Sequence, residues 1–236
     1  MDPLERDAIA RAREQVLGRI DAAARRVGRD PADVQLVAVT KTVGADRIRA
    51  AIAAGLDTLG ENRVQEAAEK RPDAPGATWH LVGPLQSNKA KRAIETFDVI
   101  ESVDSVELAV RLSRIAIELD RAPLPILLQV NVDADPAKAG FTPDVVAASL
   151  AELLGLGGLR IDGLMTVGRL VTDPGAARPT FVALRALAER LRSAHSGLGP
   201  ALSMGMSDDF EVAVEEGATH VRVGRALFGA RPTAKV

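Results

Sequence analysis

The sequence contains no cysteine and no tyrosine, and it has only three histidines and one tryptophan in 236 residues. Without cysteine the chain can form neither disulfides nor thiolate metal sites, and it has no thiolate nucleophile. The histidines His80, His195 and His220 lie far apart and never at the spacing of metal ligands on one helix. A zinc site is therefore not expected. The absence of tyrosine removes one common catalytic base.

Long apolar runs and an excess of one charge are also missing. No run approaches the length of a membrane span, and the polar start, residues 1–14, lacks the apolar core of a signal peptide. Lysine and arginine total 30 against 32 acidic residues, so no basic field is available for nucleic acid. We therefore expect a soluble cytoplasmic protein that binds neither membranes nor nucleic acid. Because no linker or low-complexity tract divides the chain, we expect one domain over residues 1–236.

The sequence does contain a repeated alternation of strands and helices. Most of the strand segments are short and continuously apolar, as is typical of buried parallel strands. An amphipathic helix over residues 3–27 precedes the first strand, and Asp104 with Glu107 has the spacing of a capping box at a later helix start. The predicted strands are Val34–Thr40, Thr58–Gly60, Trp79–Val82, Val99–Ser102, Pro125–Val132, Leu159–Thr166, Ala201–Met204 and Thr219–Val223.

Eight parallel strands, each followed by a helix, predict an α/β fold, a single (β/α)8 TIM-type barrel with an additional N-terminal helix. An open doubly wound sheet is the alternative. It is disfavoured because no G-x-G-x-x-G motif follows the first strand.

Lys41 directly follows the first predicted strand. Barrels carry their chemistry at the carboxyl ends of the strands, so its amine is placed where a Schiff-base lysine would act. The chain has only six lysines, and arginine supplies most of its cations. The alternative is a lysine at a strand end that simply extends to solvent.

The turns after the seventh and eighth strands have features of a phosphate site. Loops at these positions often bind phosphate in this fold. Ser207 can donate a hydroxyl hydrogen bond, while Gly224 and Arg225 can donate backbone N–H groups. Alternatively, Ser207 is an ordinary helix N-cap followed by Asp208 and Asp209 in the first turn.

Arg222 shares one face of the eighth strand with Gly224, because side chains alternate along a strand. If Gly224 faces a ligand, Arg222 points into the barrel and needs a partner there. A pyridine nitrogen and an internal carboxylate are the two candidates.

Five motifs together resemble the pyridoxal-phosphate homeostasis proteins of the YggS/PROSC type, over about residues 10–231. The motifs occur in the order and spacing of that family. They are LVAVTK at 36–41, GENRVQE at 60–66, WHLVGPLQSNK at 79–89, LSMGMSDD at 202–209 and VRVGRALFG at 221–229.

The resemblance implies a fold similar to the barrel domain of alanine racemase, with pyridoxal 5′-phosphate (PLP) bound as an aldimine to Lys41. It also implies that Arg222 faces the pyridine nitrogen, while Ser207, Gly224 and Arg225 hold the phosphate. Three further residues match family positions near the cofactor, namely Asn62, His80 and Met206.

Physical chemistry constrains what such a site can do. A pyridine nitrogen facing a guanidinium is not readily protonated, which weakens the ring as an electron sink. Racemases of similar fold use a lysine and a tyrosine as opposed bases, but this chain has no tyrosine and ends shortly after the eighth strand. We therefore expect a PLP carrier involved in intracellular PLP homeostasis, with PLP-dependent apo-enzymes as acceptors, no dedicated turnover and a monomeric state.

Two other functions stay open at the level of sequence. One is a racemase-like PLP enzyme with weak activity on amino acids, and the other is a metal-free Schiff-base aldolase acting on a sugar phosphate. The basic cluster Lys89, Lys91 and Arg92 is either a solvated helix face, a docking surface or a second phosphate ligand. The Asp133–Gly140 segment is either a lid or a long turn.

Overall fold

A computed structural model describes residues 2–168 and 171–229, and within them eight parallel strands form a closed barrel in sequence order. The barrel closes where β8 pairs with β1, in a register that places Val37 opposite Arg222. The TIM-type fold expected from the sequence is thus confirmed. The strands are β1 (Gln35–Val39), β2 (Thr58–Glu61), β3 (Thr78–Leu81), β4 (Val99–Val103), β5 (Leu124–Gln129), β6 (Leu159–Met165), β7 (Ala201–Met206) and β8 (His220–Val223).

Helices surround the barrel, one after each strand and an additional one before β1. Their apolar stripes pack on the strands, as Leu108, Leu112 and Ile115 of α5 illustrate. The helices are α1 (Pro3–Arg26), α2 (Ala45–Ala53), α3 (Val64–Lys70), α4 (Ala90–Thr96), α5 (Val106–Glu118), α6 (Pro143–Leu154), α7 (Arg178–Ala194), α8 (Phe210–Glu215) and α9 (Arg225–Phe228).

The additional helix α1 is attached to the barrel by its apolar side and by ion pairs. Ile9, Val16 and Ile20 are almost fully buried, and the helix packs against α2, α8 and α9. Arg19 pairs with Glu211 of α8 at 3.1 Å. The predicted N-terminal helix is therefore an integral part of the fold, and no described helix is long and apolar enough to cross a membrane.

Several element boundaries differ from those expected. Strand β7 continues to Met206, so Gly205 and Met206 belong to the strand and the turn begins at Ser207. Helix α5 is capped by Ser105, whose Oγ accepts the Leu108 N–H at 3.2 Å, so the capping-box assignment to Asp104 was wrong. Ser105 has the extended backbone of an N-cap, and its hydroxyl makes the cap bond.

Residues 133–140, within the connection from β5 to α6, are held by local hydrogen bonds and by a contact from α7. The Asn131 amide donates to the carbonyl of Asp135 at 2.8 Å and accepts the Asp135 N–H at 3.1 Å. Thr180 of α7 donates to the Asp133 carboxylate at 2.6 Å. These contacts are those of an ordered βα turn, in which the backbone groups find local partners.

Candidate functional site

The candidate site lies at the carboxyl ends of five neighbouring strands, β7, β8, β1, β2 and β3. Barrel closure makes these strands adjacent, so residues about 180 positions apart in sequence lie at one edge of the barrel. The structure places the eight predicted residues as follows: Lys41 after β1, Asn62 after β2, His80 in β3, Met206 at the end of β7, Ser207 after it, Arg222 in β8, and Gly224 and Arg225 after β8.

The turns after β7 and β8 meet at Ser207. Its Oγ accepts the backbone N–H groups of Gly224 at 3.3 Å and Ala226 at 3.4 Å. Gly224 also lies against β1, where a Cβ on it would come within 3.2 Å of the Val39 carbonyl oxygen. A hydroxyl and two backbone amides thus converge beside the strand that leads to Lys41, a donor set suited to an anion.

Ser207 is not the N-cap of α8, because that helix begins three residues later at Phe210. Both neighbouring carboxylates have other partners. Asp208 forms an ion pair with the guanidinium of Arg225, and Asp209 accepts the Met206 N–H at 2.6 Å. Burial raises the pKa of Asp209. The N-cap alternative for Ser207 was therefore wrong, and its role as a phosphate ligand stays a prediction.

Arg222 lies inside the barrel in a buried network of hydrogen bonds. Its guanidinium donates to the Ser203 hydroxyl at 2.7 Å and to the Thr166 carbonyl at 2.7 Å. Ser203 in turn donates to the carboxylate of Glu101, and His80 Nδ1 lies 2.6 Å from the other Glu101 oxygen. We call His80, Glu101, Ser203 and Arg222 the barrel network. All four side chains are buried.

The charges of the barrel network balance one another. Burial alone would raise the pKa of Glu101, but the hydrogen bond from His80 and the charge of Arg222 outweigh it and lower this pKa to about 2. Burial lowers the pKa of Arg222 and that of the neighbouring His220, whose ring lies 6.0 Å from His80. The internal carboxylate proposed as a partner for Arg222 is therefore present, and it acts through Ser203.

The backbone around Lys41 is held by β2 and α3. Lys41 is half-buried, and the residue before it, Thr40, donates its hydroxyl to Glu61 at 2.9 Å. The Thr40 carbonyl accepts a hydrogen bond from Lys70 at 2.8 Å. Glu61 also accepts the Asn62 N–H at 3.1 Å, so one buried carboxylate joins the ends of β1 and β2.

Comparison with known proteins identifies the family. The family model of the alanine racemase N-terminal domain matches residues 15–232. The pyridoxal phosphate homeostasis protein of Pseudomonas aeruginosa is 43% identical over 219 residues, which cover 92% of this chain and 93% of that protein. This chain belongs to the family of pyridoxal phosphate homeostasis proteins.

Other members of the family and its structural relatives agree. The pyridoxal phosphate homeostasis protein of Escherichia coli K12 is 38% identical over 239 residues, covering 96% of this chain and 98% of that protein. PipY of Synechococcus elongatus PCC7942, solved with PLP bound, is 44% identical with a TM-score of 0.82 and covers 94% of this chain and 100% of its own. The alanine racemase of Clostridium difficile 630 shares the fold at a TM-score of 0.72 and 16% identity, covering 93% of this chain and 57% of the racemase.

The basic cluster of the sequence is exposed. Lys89 directly precedes α4, Lys91 and Arg92 lie in its first turn, and Arg92 lies 3.5 Å from Glu95. A solvated helix face and a docking surface would both have this exposure, so the role of the cluster stays open. Across the described residues, no three His, Asp or Glu side chains form a group that could hold a metal ion.

Sequence reasoning missed two residues of the barrel network, Glu101 and Ser203. One signal for Glu101 was present, since it is the charged residue of the strand Val99–Val103. A charge in a buried strand needs a partner inside the barrel. Ser203 carries no comparable signal, because serine is ordinary in a strand.

Proposed function

We propose that this chain binds PLP through a Schiff base at Lys41 and serves in intracellular PLP homeostasis. The observation that carries the proposal is the half-buried Lys41 just after β1, the strand that pairs with β8. Strand β8 holds the interior guanidinium of Arg222 and leads into the turn that contacts Ser207. Its relatives are named for pyridoxal phosphate homeostasis, and PipY was solved with PLP bound, which supports the same ligand here.

The residues of the site can be assigned to three parts of PLP, namely the aldehyde, the pyridine nitrogen and the phosphate. The amine of Lys41 condenses with the aldehyde and releases water, forming a carbon–nitrogen double bond. Arg222 is proposed to face the pyridine nitrogen, while Ser207 and the N–H groups of Gly224 and Arg225 hold the phosphate. The N–H groups of Gly224 and Ala226 lie 3.3 and 3.4 Å from Ser207 Oγ, which is long for N–H donors, so a phosphate oxygen would be a better acceptor for these two groups.

Three predicted residues remain. Asn62 directly follows β2 and Met206 ends β7, and we propose that both side chains line the cofactor. The His80 ring bonds Glu101 within the barrel, so we assign it to orienting the network beneath the ring.

The protein is proposed to hold and release PLP without dedicated catalytic turnover. PLP supplies an electron sink when bound, but the fixed cation Arg222 disfavours protonation of the ring nitrogen. The sequence also has no tyrosine to act as a second base opposite Lys41. A weak racemase-like activity on amino acids is the second candidate, favoured only by the fold shared with alanine racemase. We further propose a cytoplasmic monomer that passes PLP to PLP-dependent apo-enzymes.

The direct test is borohydride reduction after incubation with PLP, followed by mass spectrometry of intact protein and peptides. We expect one adduct with the mass of reduced PLP on the peptide that contains Lys41, a yellow preparation before reduction, and loss of both in Lys41→Ala. Lys91→Ala, which removes an exposed lysine of α4, should behave as the wild type. A wild-type chain that stays colourless and unlabelled would refute the proposal, and an adduct formed only with a sugar phosphate would identify an aldolase.

Turnover is tested separately by solvent-deuterium incorporation across a panel of amino acids. We expect no Lys41-dependent exchange at the α-carbon above the rate with free PLP. Exchange that disappears in Lys41→Ala would establish the racemase-like enzyme instead.

A further inference from the structure

The residue after Lys41 has an unusual backbone conformation. Thr42 has a φ of 65°, although it is β-branched and such residues rarely adopt positive φ. A strained residue of this kind persists only where its surroundings hold it, and such residues cluster at functional sites. The surroundings of Thr42 therefore need explanation.

Two side chains of α3 bind the backbone on both sides of Lys41. Lys70 donates to the Thr40 carbonyl at 2.8 Å, and Glu66 accepts the Thr42 N–H at 3.3 Å. Lys70 also donates to Glu61 and lies 3.4 Å from Glu66, so one ammonium joins the two carboxylates. The residues that flank Lys41 are thus tied to a single charged cluster.

Burial makes this cluster rigid. The Glu61 side chain is fully buried, and those of Lys70 and Glu66 are 12% and 28% exposed. Removal of the ammonium would leave the Glu61 carboxylate buried with its charge uncompensated, which is costly in a protein interior. Glu66 and Lys70 are one helical turn apart on α3, so the helix presents both groups to the same stretch of backbone.

We propose that Glu61, Glu66 and Lys70 form a clamp that positions Lys41, by fixing Thr40 and Thr42 and keeping Thr42 at positive φ. These three are positioning residues, since the clamp acts through the backbone of Lys41. The effect of the clamp on PLP binding rests on the proposed function, whereas the contacts of the clamp are present without a ligand. Glu61 also holds the Asn62 N–H, so the clamp fixes two predicted cofactor residues relative to each other.

Amide hydrogen exchange in the full chain without PLP tests the clamp directly. We expect Thr42 to exchange several-fold faster in Glu66→Ala and in Lys70→Met than in the wild type. Glu69→Ala is the matched control, because Glu69 is exposed on the same helix and accepts a hydrogen bond from Gln65. Unchanged exchange at Thr42 in both clamp variants would overturn the proposal.

PLP binding tests the consequence. We expect Lys70→Met and Glu66→Ala to bind PLP about tenfold more weakly than the wild type. Lys70→Arg should be closer to the wild type, because a guanidinium can still donate to the Thr40 carbonyl and to Glu61. If Lys70→Met fails to fold, Glu66→Ala and Lys70→Arg still decide the matter. Faster exchange with unchanged PLP affinity would refute the positioning role. A wild type that takes up no PLP would refute the proposed function. The clamp would then be tested by amide hydrogen exchange at Thr42 alone.

Discussion

At the scale of single residues, the site is governed by how buried charges are compensated. Arg222 and Glu101 never touch, yet Ser203 connects them by accepting from one and donating to the other. A hydroxyl can do both at once, which neither an amide N–H nor a carboxylate can. The barrel therefore carries a fixed cation beneath the proposed ring position without leaving either charge unsatisfied.

Glu101→Gln should destabilise the fold by about 3 kcal/mol, because the variant keeps the shape and leaves Arg222 without its anion. Urea unfolding of the two proteins at pH 7 measures this difference. The control is Glu118→Gln, an exposed carboxylate 3.5 Å from Arg114, for which we expect a change below about 0.5 kcal/mol. Equal stabilities of Glu101→Gln and wild type would show that Ser203 alone compensates the guanidinium.

The same carboxylate predicts a pH dependence. The native pKa of Glu101, about 2, lies below its ordinary value of 4.5, so its contribution to stability is present above pH 4.5 and is lost as the pH falls towards 2. Three titratable or charged groups act on it, namely His80, Arg222 and His220, and Asp209 acts on Arg222. In Glu101→Gln, we expect unfolding free energy to fall less steeply over this range. An acid limb identical to that of the wild type would contradict the assignment.

At the scale of elements, helix starts and turn contacts decide where side chains point. Helix α5 begins one residue later than the capping-box spacing indicates, because Ser105 has the extended backbone and a hydroxyl that accepts Leu108 N–H. Helix α8 is a similar case. Ser207 resembles its N-cap in sequence, but in the structure Ser207 contacts the turn after β8. Spacing alone cannot separate these cases, since several polar residues compete at each helix start.

Ser105→Ala should lower the free energy of unfolding by about 1 kcal/mol, the usual effect of losing an N-cap side chain. Asp104→Ala should have a clearly smaller effect, because the Asp104 side chain makes no cap bond to α5. Thermal unfolding of both variants provides the comparison. The reverse order of effects would restore the capping box.

At the scale of the whole molecule, the exposed hydrophobic residues bear on the oligomeric state. Large exposed hydrophobic residues among the described part of the chain are scattered over four helices, with Leu4 and Val27 at the two ends of α1, Val110 and Ile117 on α5, Val145 on α6 and Val182 on α7. Extended interfaces bury contiguous apolar patches, whereas single exposed hydrophobics are normal on a monomer.

We therefore predict a monomer of 24.9 kDa in solution, with and without PLP. Light scattering coupled to size exclusion, over a tenfold range of protein concentration, measures the mass. A mass near twice this value, or one that rises with concentration, would show a dimer.

Sequence patterns were sufficient to predict the fold class, the family and the positions of the candidate cofactor residues along the strands. They could do so because strand–helix alternation and the order of parallel strands bring all the carboxyl ends to one edge. Lys41, Asn62 and Gly224 therefore fall at neighbouring strand ends in the structure, as expected from their positions alone.

The pairing of side chains inside and around the barrel could be assigned only from the folded structure. Register irregularities lie between Ile100 and Val103 in β4 and between Ser203 and Met206 in β7, next to the barrel network. Such irregularities re-aim side chains, so the contacts of Glu101 and Ser203 could not be read from alternation. The clamp from α3 to Thr40 and Thr42 likewise depends on how a helix packs over the strand ends. Local patterns fix elements, but pairing across the barrel depends on register and packing, which arise only when the barrel closes.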